Sequence, residues 1–298
     1  MKYCIDKYPK GTYKGQKSDG RYADGYLYEN IKHIATKIVD DMTFLGVIFS
    51  STLEVGTGKS VMAQHIGEMY TEQVKQIHGI DLPFDIDNIV FKPKDLIDRA
   101  LHNDKRIREL PKYSCIILDE WEDAHYWSEL GVALRKFFRQ CRQLNLFMLV
   151  IIPNFFQMGP AYAISRSAFA IDVKFGQGYE RGYFDFYNFE NKKDLYVKGK
   201  KTYNYKCVFP NFDGRFVGGY AVGDQEYRDA KFKAFAEQEE TKKPLTYTDA
   251  KRITMRELRL KNPEKPIQEW ADLFKVAKRT IFEWLGKEMD GQLENESV

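Results

Sequence analysis

Cysteine is scarce in this chain of 298 residues. The four present, Cys4, Cys115, Cys141 and Cys207, show no C-x-x-C spacing. That excludes a zinc ribbon, argues against a disulfide framework and favours a reducing, cytoplasmic setting (the host cytoplasm if the chain is viral). Long apolar runs are missing too. The longest, Leu146–Pro153, has eight residues, whereas a spanning helix needs about 20. No N-terminal stretch joins a basic region to an apolar region and a small-residue cleavage site, so no stable membrane insertion is expected. Charge of one sign does not dominate. The formal net charge of +3 excludes a histone-like polycation and confines any nucleic-acid surface to a local patch. No internal repeat or low-complexity tract is visible. What is present is 43% hydrophobic and 30% charged residues, enough for a packed core. The length suits one sizeable domain with an appendage.

The apolar pattern divides the chain. Residues 1–43 read as an irregular arm followed by a helix, with Ile31, Ile34, Ala35, Ile38 and Val39 at helical spacing. Residues 44–238 read as one α/β domain. Short apolar runs at 44–49, 89–91, 115–118, 146–152 and 168–175 are strands. They alternate with helices ending near Ile77, spanning Pro93–Leu101 and spanning Leu130–Leu144. Strands that are apolar throughout, each followed by a helix, predict a mostly parallel sheet covered on both faces. From 175 to 220 aromatics crowd between glycines. The pattern predicts β-hairpins added to the core, or else a platform on which bases stack. A polar helix follows from Asp224. Residues 239–246 are a linker, 247–288 a small all-α domain, and 289–298 an acidic tail.

The first strand runs into G-T-G-K-S and then a helix, the context a phosphate-binding loop requires. Glycines let backbone N–H groups turn onto phosphates at a helix N-terminus that already favours anions. Gly56, Thr57, Gly58, Lys59, Ser60 and Val61 form the cradle for ATP. Lys59 reaches the β- and γ-phosphates and the Ser60 hydroxyl ligates Mg²⁺. Leu53 stands where the usual pattern has its first glycine. A second element matches: Cys115–Glu120 is an apolar strand ending in two acids, 60 residues after Lys59. Asp119 is placed to hold the metal shell, and Glu120 to polarise the attacking water as a general base. Glu120 is the residue that binding alone would not need, so the pair points to hydrolysis.

Asn154 ends the fourth strand. It is placed to touch the γ-phosphate or the water, or else to cap the loop. Arg135, Arg139 and Arg142 lie at helical spacing before that strand, and Arg166 precedes the fifth. Arg166 first and Arg142 second are candidates for an arginine supplied to a neighbour's γ-phosphate; a plain surface role is the alternative for each.

The order G-T-G-K-S, I-I-L-D-E, R-Q-C-R-Q-L-N-L-F-M-L-V-I-I-P-N and I-S-R-S-A-F-A-I-D-V-K-F resembles the FtsK/HerA-type P-loop ATPases. The small viral and plasmid versions, including the Zot-like proteins, look most similar. The resemblance covers roughly residues 44–175. It implies a RecA-like core, assembly into a homo-oligomeric ring, and DNA translocation or processing for a mobile element, in packaging, replication or transfer. Asn154 stands where that family commonly has glutamine.

Residues 266–285 carry two short amphipathic helices with a turn near Phe274-Lys275. This resembles a helix-turn-helix, with a recognition helix from Ala277 presenting Lys278, Arg279 and Thr280 to duplex DNA. From Lys242 to Glu288 there are 12 Lys/Arg against 7 Asp/Glu, so the basic surplus is local. Arg256 on the preceding helix is a phosphate-contact candidate. Three functions fit: a DNA-processing ATPase, a nucleotide-sensing DNA-binding regulator, or an assembly ATPase whose C-terminal helices grip protein.

Overall fold

The computed structural model describes residues 3–6, 21–52, 56–101, 110–119, 137 and 144–240, and in the C-terminal part 251, 254–255, 258–259, 262 and 264–285. It is an α/β structure that divides into two compact units, Met1–Ala234 and Phe235–Val298. The division falls inside a helix, a few residues before the expected linker at 239–246.

The first unit holds strands β1 (Tyr3–Asp6), β2 (Arg21–Asp24), β3 (Phe44–Phe49), β4 (Ile89–Val90), β5 (Cys115–Leu118), β6 (Phe147–Ile151), β7 (Phe169–Lys174), β8 (Tyr183–Tyr187) and β9 (Phe212–Val217). Its main helices are α1 (Gly25–Lys37), α2 (Lys59–His78) and α3 (Pro93–Leu101), and it contains the start of α4 (Asp224–Glu240). The strands form one mixed sheet in the order β1-β2-β9-β8-β7-β3-β6-β5-β4. The stretch β7-β3-β6-β5-β4 is parallel throughout. β8 and β9 extend it in antiparallel fashion, and β2 joins antiparallel to β9.

The central strands are apolar on both sides because both faces of the sheet are covered. Ile48, Ile117, Leu149, Ile151 and Ile171 enter one core with α1 and α2. Val47, Phe49, Ile116, Leu118, Val150 and Ala170 enter the other with Leu96 and Ala100 of α3. Connections follow the same division. α2, joining β3 to β4, lies on the first face. The connections from β4, β5 and β6 contribute Leu96, Phe137 and Phe155–Phe156 to the second. They run back along the sheet, and crossovers of one hand that reverse direction must change face. The chain therefore leaves β3 and its neighbour β6 on opposite faces, which opens a crevice at their carboxyl ends.

Two expectations need correction. The arm at 1–25 is not wholly irregular: β1 and β2 pair in parallel and extend the sheet. The aromatic segment is strand only in part. β7-β8 and β8-β9 are consecutive antiparallel pairs added to the core, as expected, but Phe189–Thr202 between β8 and β9 is helical. Asn188 caps that stretch by accepting the Asn191 N–H at 3.0 Å. Leu195, Tyr196 and Gly199 recur on one side and are buried, while the lysines at 193, 198, 200 and 201 stay in solvent. That is a helical period. The aromatic count obscured it.

In the second unit, α5 (Ile267–Phe274) and α6 (Lys278–Leu285) enclose Met255, Trp270, Ala271, Ile281 and Trp284. Lys275 closes α5 in the left-handed region at φ 53°. The Val276 N–H returns to Ala271 O at 3.0 Å and the Lys275 N–H to Asp272 O at 3.2 Å. This double closure normally uses glycine at the left-handed position. Lysine takes it here, with Val276 packed into the same small core as Ala271. Among the described residues, no helix is long and apolar enough to cross a membrane.

Candidate phosphate and metal site

β3 delivers the chain to the crevice, and the turn into α2 needs two positive φ values: Gly56 at 83° and Gly58 at 102°. A side chain at either would be strained. No side chain caps the N-terminus of α2, and its first turn carries no acid. Its leading N–H groups and positive dipole end therefore have no anionic cap from the helix's own first turn. Thr57 is buried, and the Lys59 ammonium stands 3.5 Å from its hydroxyl. Val61 is half-buried in the same turn.

β5 delivers Asp119. Its N–H bonds to Val90 O at 2.8 Å, which carries the pairing of β4 and β5 one residue further and fixes the carboxylate at the sheet's end. The side chain is 1% exposed. Ser60 Oγ lies 3.2 Å from Asp119 Oδ1 and 3.1 Å from Oδ2. The two residues assigned to the metal shell from sequence are therefore in direct contact. A hydroxyl and a carboxylate are hard oxygen donors, the set that Mg²⁺ takes together with phosphate oxygens and water.

Two more groups reach the same carboxylate, and both come from α4. The Tyr227 hydroxyl donates to Asp119 Oδ2, and Lys231 Nζ pairs with it at 3.7 Å. Burial and the adjacent carboxylate push the Tyr227 phenol well above its ordinary range, so it remains a donor. Its ring stacks on Tyr220 at 4.3 Å. Sequence reasoning missed both residues. The available signal was Tyr227, Ala230 and Ala234, an i, i+3, i+7 stripe on an otherwise polar helix.

β7 supplies another residue not singled out from sequence. Asp172 lies opposite Phe49 and Asp185 in the sheet, and its Oδ1 accepts the Ser51 N–H at 2.7 Å. It thereby ties the first residues of the phosphate loop to the neighbouring strand. An acid inside an apolar strand, F-A-I-D-V-K, was the visible mark. Burial pushes its pKa from 3.8 to about 6, against the Ser51 hydrogen bonds.

The remaining candidates are placed as follows. Asn154 is buried, and its amide is engaged away from the glycine turn. Its Oδ1 accepts from Phe156 N and Tyr205 Oη at 2.9 and 2.7 Å, and its Nδ2 donates to Tyr203 Oη at 2.9 Å. This is the loop-capping geometry. Arg166 is exposed at the end of the helical turn Ala161–Arg166. Lys192, fully buried, anchors that turn through Ile164 O, Ser167 O and Ser167 Oγ at 3.0, 2.7 and 2.9 Å. Burial lowers its pKa to about 8. Lys278 and Arg279 are exposed and Thr280 is half-buried at the start of α6. Glu120, Arg142 and Arg256 lie outside the described residues, as do Arg135 and Arg139.

The shift at Asp172 sets a pH test. The folded chain holds this proton more tightly than the unfolded chain does. Between pH 3.8 and about 6 stability therefore falls as pH rises, and above that window the ionised form costs about 3 kcal/mol. Asp172→Asn keeps an acceptor for Ser51 N–H and removes the charge. It should raise the urea midpoint at pH 7 and leave it nearly unchanged at pH 4. Loss of stability at pH 7 that is absent at pH 4 would show instead that the ionised carboxylate stabilises the fold.

No protein-family model matches the chain, and no curated protein and no solved structure matches it either. The chemistry of these residues alone carries the functional reading.

Proposed function

We propose that the chain is a RecA-like P-loop ATPase that processes or translocates DNA, working as a homo-oligomeric ring. The observation that carries this is the contact between Ser60 and both carboxylate oxygens of Asp119, at an uncapped helix end behind two left-handed glycines. Two residues 59 apart in sequence meet where a nucleotide-bound cation would need them. The strand order supports the core assignment: β6 lies between the phosphate-loop strand β3 and the acidic strand β5.

In this reading Ser60 and Asp119 hold Mg²⁺, which would offset the charge of the phosphates. Lys59 and the backbone N–H groups of Gly58 to Val61 orient those phosphates. Glu120, next in sequence to Asp119, accepts a proton from the attacking water. Arg166 stands on a turn fixed by Lys192 and serves a neighbouring subunit's γ-phosphate. The C-terminal unit supports a helix-turn-helix reading through its tight closure at Lys275 and the exposed Lys278 and Arg279.

ATP hydrolysis measured with and without duplex DNA tests the whole reading. Turnover should rise with DNA. Lys59→Ala should abolish nucleotide binding, while Glu120→Gln should bind ATP and turn over at most about 1% as fast, as loss of a general base requires. Normal hydrolysis in Glu120→Gln would remove that residue from the mechanism.

DNA contact is tested by fluorescence anisotropy over a salt series on the full-length chain. Affinity should fall as salt rises. Lys278→Ala with Arg279→Ala should weaken binding and relax sequence preference by about 1–3 kcal/mol. Arg256→Ala should weaken all sequences alike, as a phosphate contact does. An absence of salt-dependent DNA binding would leave the assembly ATPase that grips protein as the better function.

A further inference from the structure

The loop between β7 and β8 closes over the glycine turn from the side opposite Asp119's strand. Gly176 N–H bonds to Glu180 O at 2.7 Å, and Phe216 N–H to Gly182 O at 2.9 Å. Gly182 sits at φ 97°, and a Cβ there would stand 2.3 Å from Phe216 O. Residue 181 is thus held between two fixed points. Its neighbour Glu180 is already engaged: Oε1 accepts from Arg215 at 2.6 Å and Oε2 from Tyr183 at 2.7 Å. Those bonds hold the Glu180 carboxyl below its usual range, the Tyr183 bond most of all. Arg215 in turn lies over the Tyr183 ring at 4.6 Å.

Arg181 is left exposed, with no hydrogen bond or ion pair to it among the described residues. Its Nη2 lies 3.3 Å from where a Cβ on Gly56 would stand, and the Phe216 ring stands 3.3 Å from where one on Gly58 would. Both glycines of the phosphate loop therefore face β8, β9 and the loop that precedes them. The positions that a side chain would crowd are where a guanidinium and an aromatic ring form the wall. A guanidinium at the glycine turn stands near the positive end of α2, so an anion bound there would meet positive charge from both. The planar fork of arginine matches two phosphate oxygens at once.

We propose that Arg181 contacts the phosphates of the nucleotide bound at Gly56–Ser60, supplied by the same chain and distinct from any arginine a neighbour contributes. The proposal rests on the nucleotide reading above. It also gives the aromatic-rich extension a role, since the loop before β8 and the ring from β9 wall the phosphate site.

The test is calorimetric titration of ATP and of ADP, in Mg²⁺, into the full-length chain and its variants. Arg181→Ala should weaken both nucleotides about 10- to 100-fold, the range for one charge-assisted contact. Arg181→Lys should fall between, keeping the charge without the fork. The urea midpoint without nucleotide should not drop in either variant, because the side chain is exposed. Should Arg181→Ala bind ATP as tightly as the wild type while Lys59→Ala does not bind, the nucleotide site stands and the role of Arg181 is overturned. Should the wild type itself bind no ATP, both the nucleotide reading and this proposal fall.

Discussion

The buried carboxylate of Asp119 is the constraint around which the first unit is arranged. A charge at 1% exposure is tolerated only when paired and hydrogen-bonded. Here the compensation comes from two places: Ser60 at the start of α2, and Tyr227 and Lys231 on α4. These partners lie on two stretches of chain remote from β5, so one side chain joins the phosphate loop, the acidic strand and α4. Removing any one partner leaves the charge less compensated. In the proposed nucleotide site, a cation at this carboxylate would compete with the Tyr227 hydroxyl and the Lys231 ammonium for its oxygens.

The sheet explains why these residues can meet. Two faces of apolar side chains, one packed with α1 and α2 and the other with α3 and the turns after β6, force the connections to β3 and β6 onto opposite sides. The crevice that results is a property of topology before it is a property of any side chain. Asp172 then pins the loop's entry from β7. α4 begins at Asp224, and the division between the two units falls within it. The helix that holds Tyr227 and Lys231 is thus also the stretch of chain that leads into the C-terminal unit.

Much of this was legible in the residues. The strands at 44–49 and 115–118 stand where apolar runs placed them, because fully buried strands carry no polar interruption. The turn at Lys275 was legible from the helix on either side of it, although its glycine is missing. What was not legible depends on distance in sequence. β1 and β2 have only four residues each, too few to show a period, so only their pairing reveals them. Phe189–Thr202 hid a helical period among aromatics that β-strands also favour. Tyr227, Lys231 and Arg181 gain their meaning from groups more than 100 residues away, and no local pattern can announce that. Asp172 showed itself as an acid in an apolar strand, yet its partner, the backbone of Ser51, has no side-chain signature.

The central claim is that Ser60 and Asp119 form the cation end of a nucleotide site. The most direct measurement is calorimetric titration of ATP into the full-length chain with Mg²⁺ and with EDTA, repeated for Ser60→Ala and Asp119→Asn. The account predicts that Mg²⁺ tightens ATP binding at least about tenfold in the wild type, equivalent to about 1.4 kcal/mol, and that both variants lose most of that difference. Binding that is indifferent to Mg²⁺ in the wild type, or a metal dependence that survives in both variants, would contradict it.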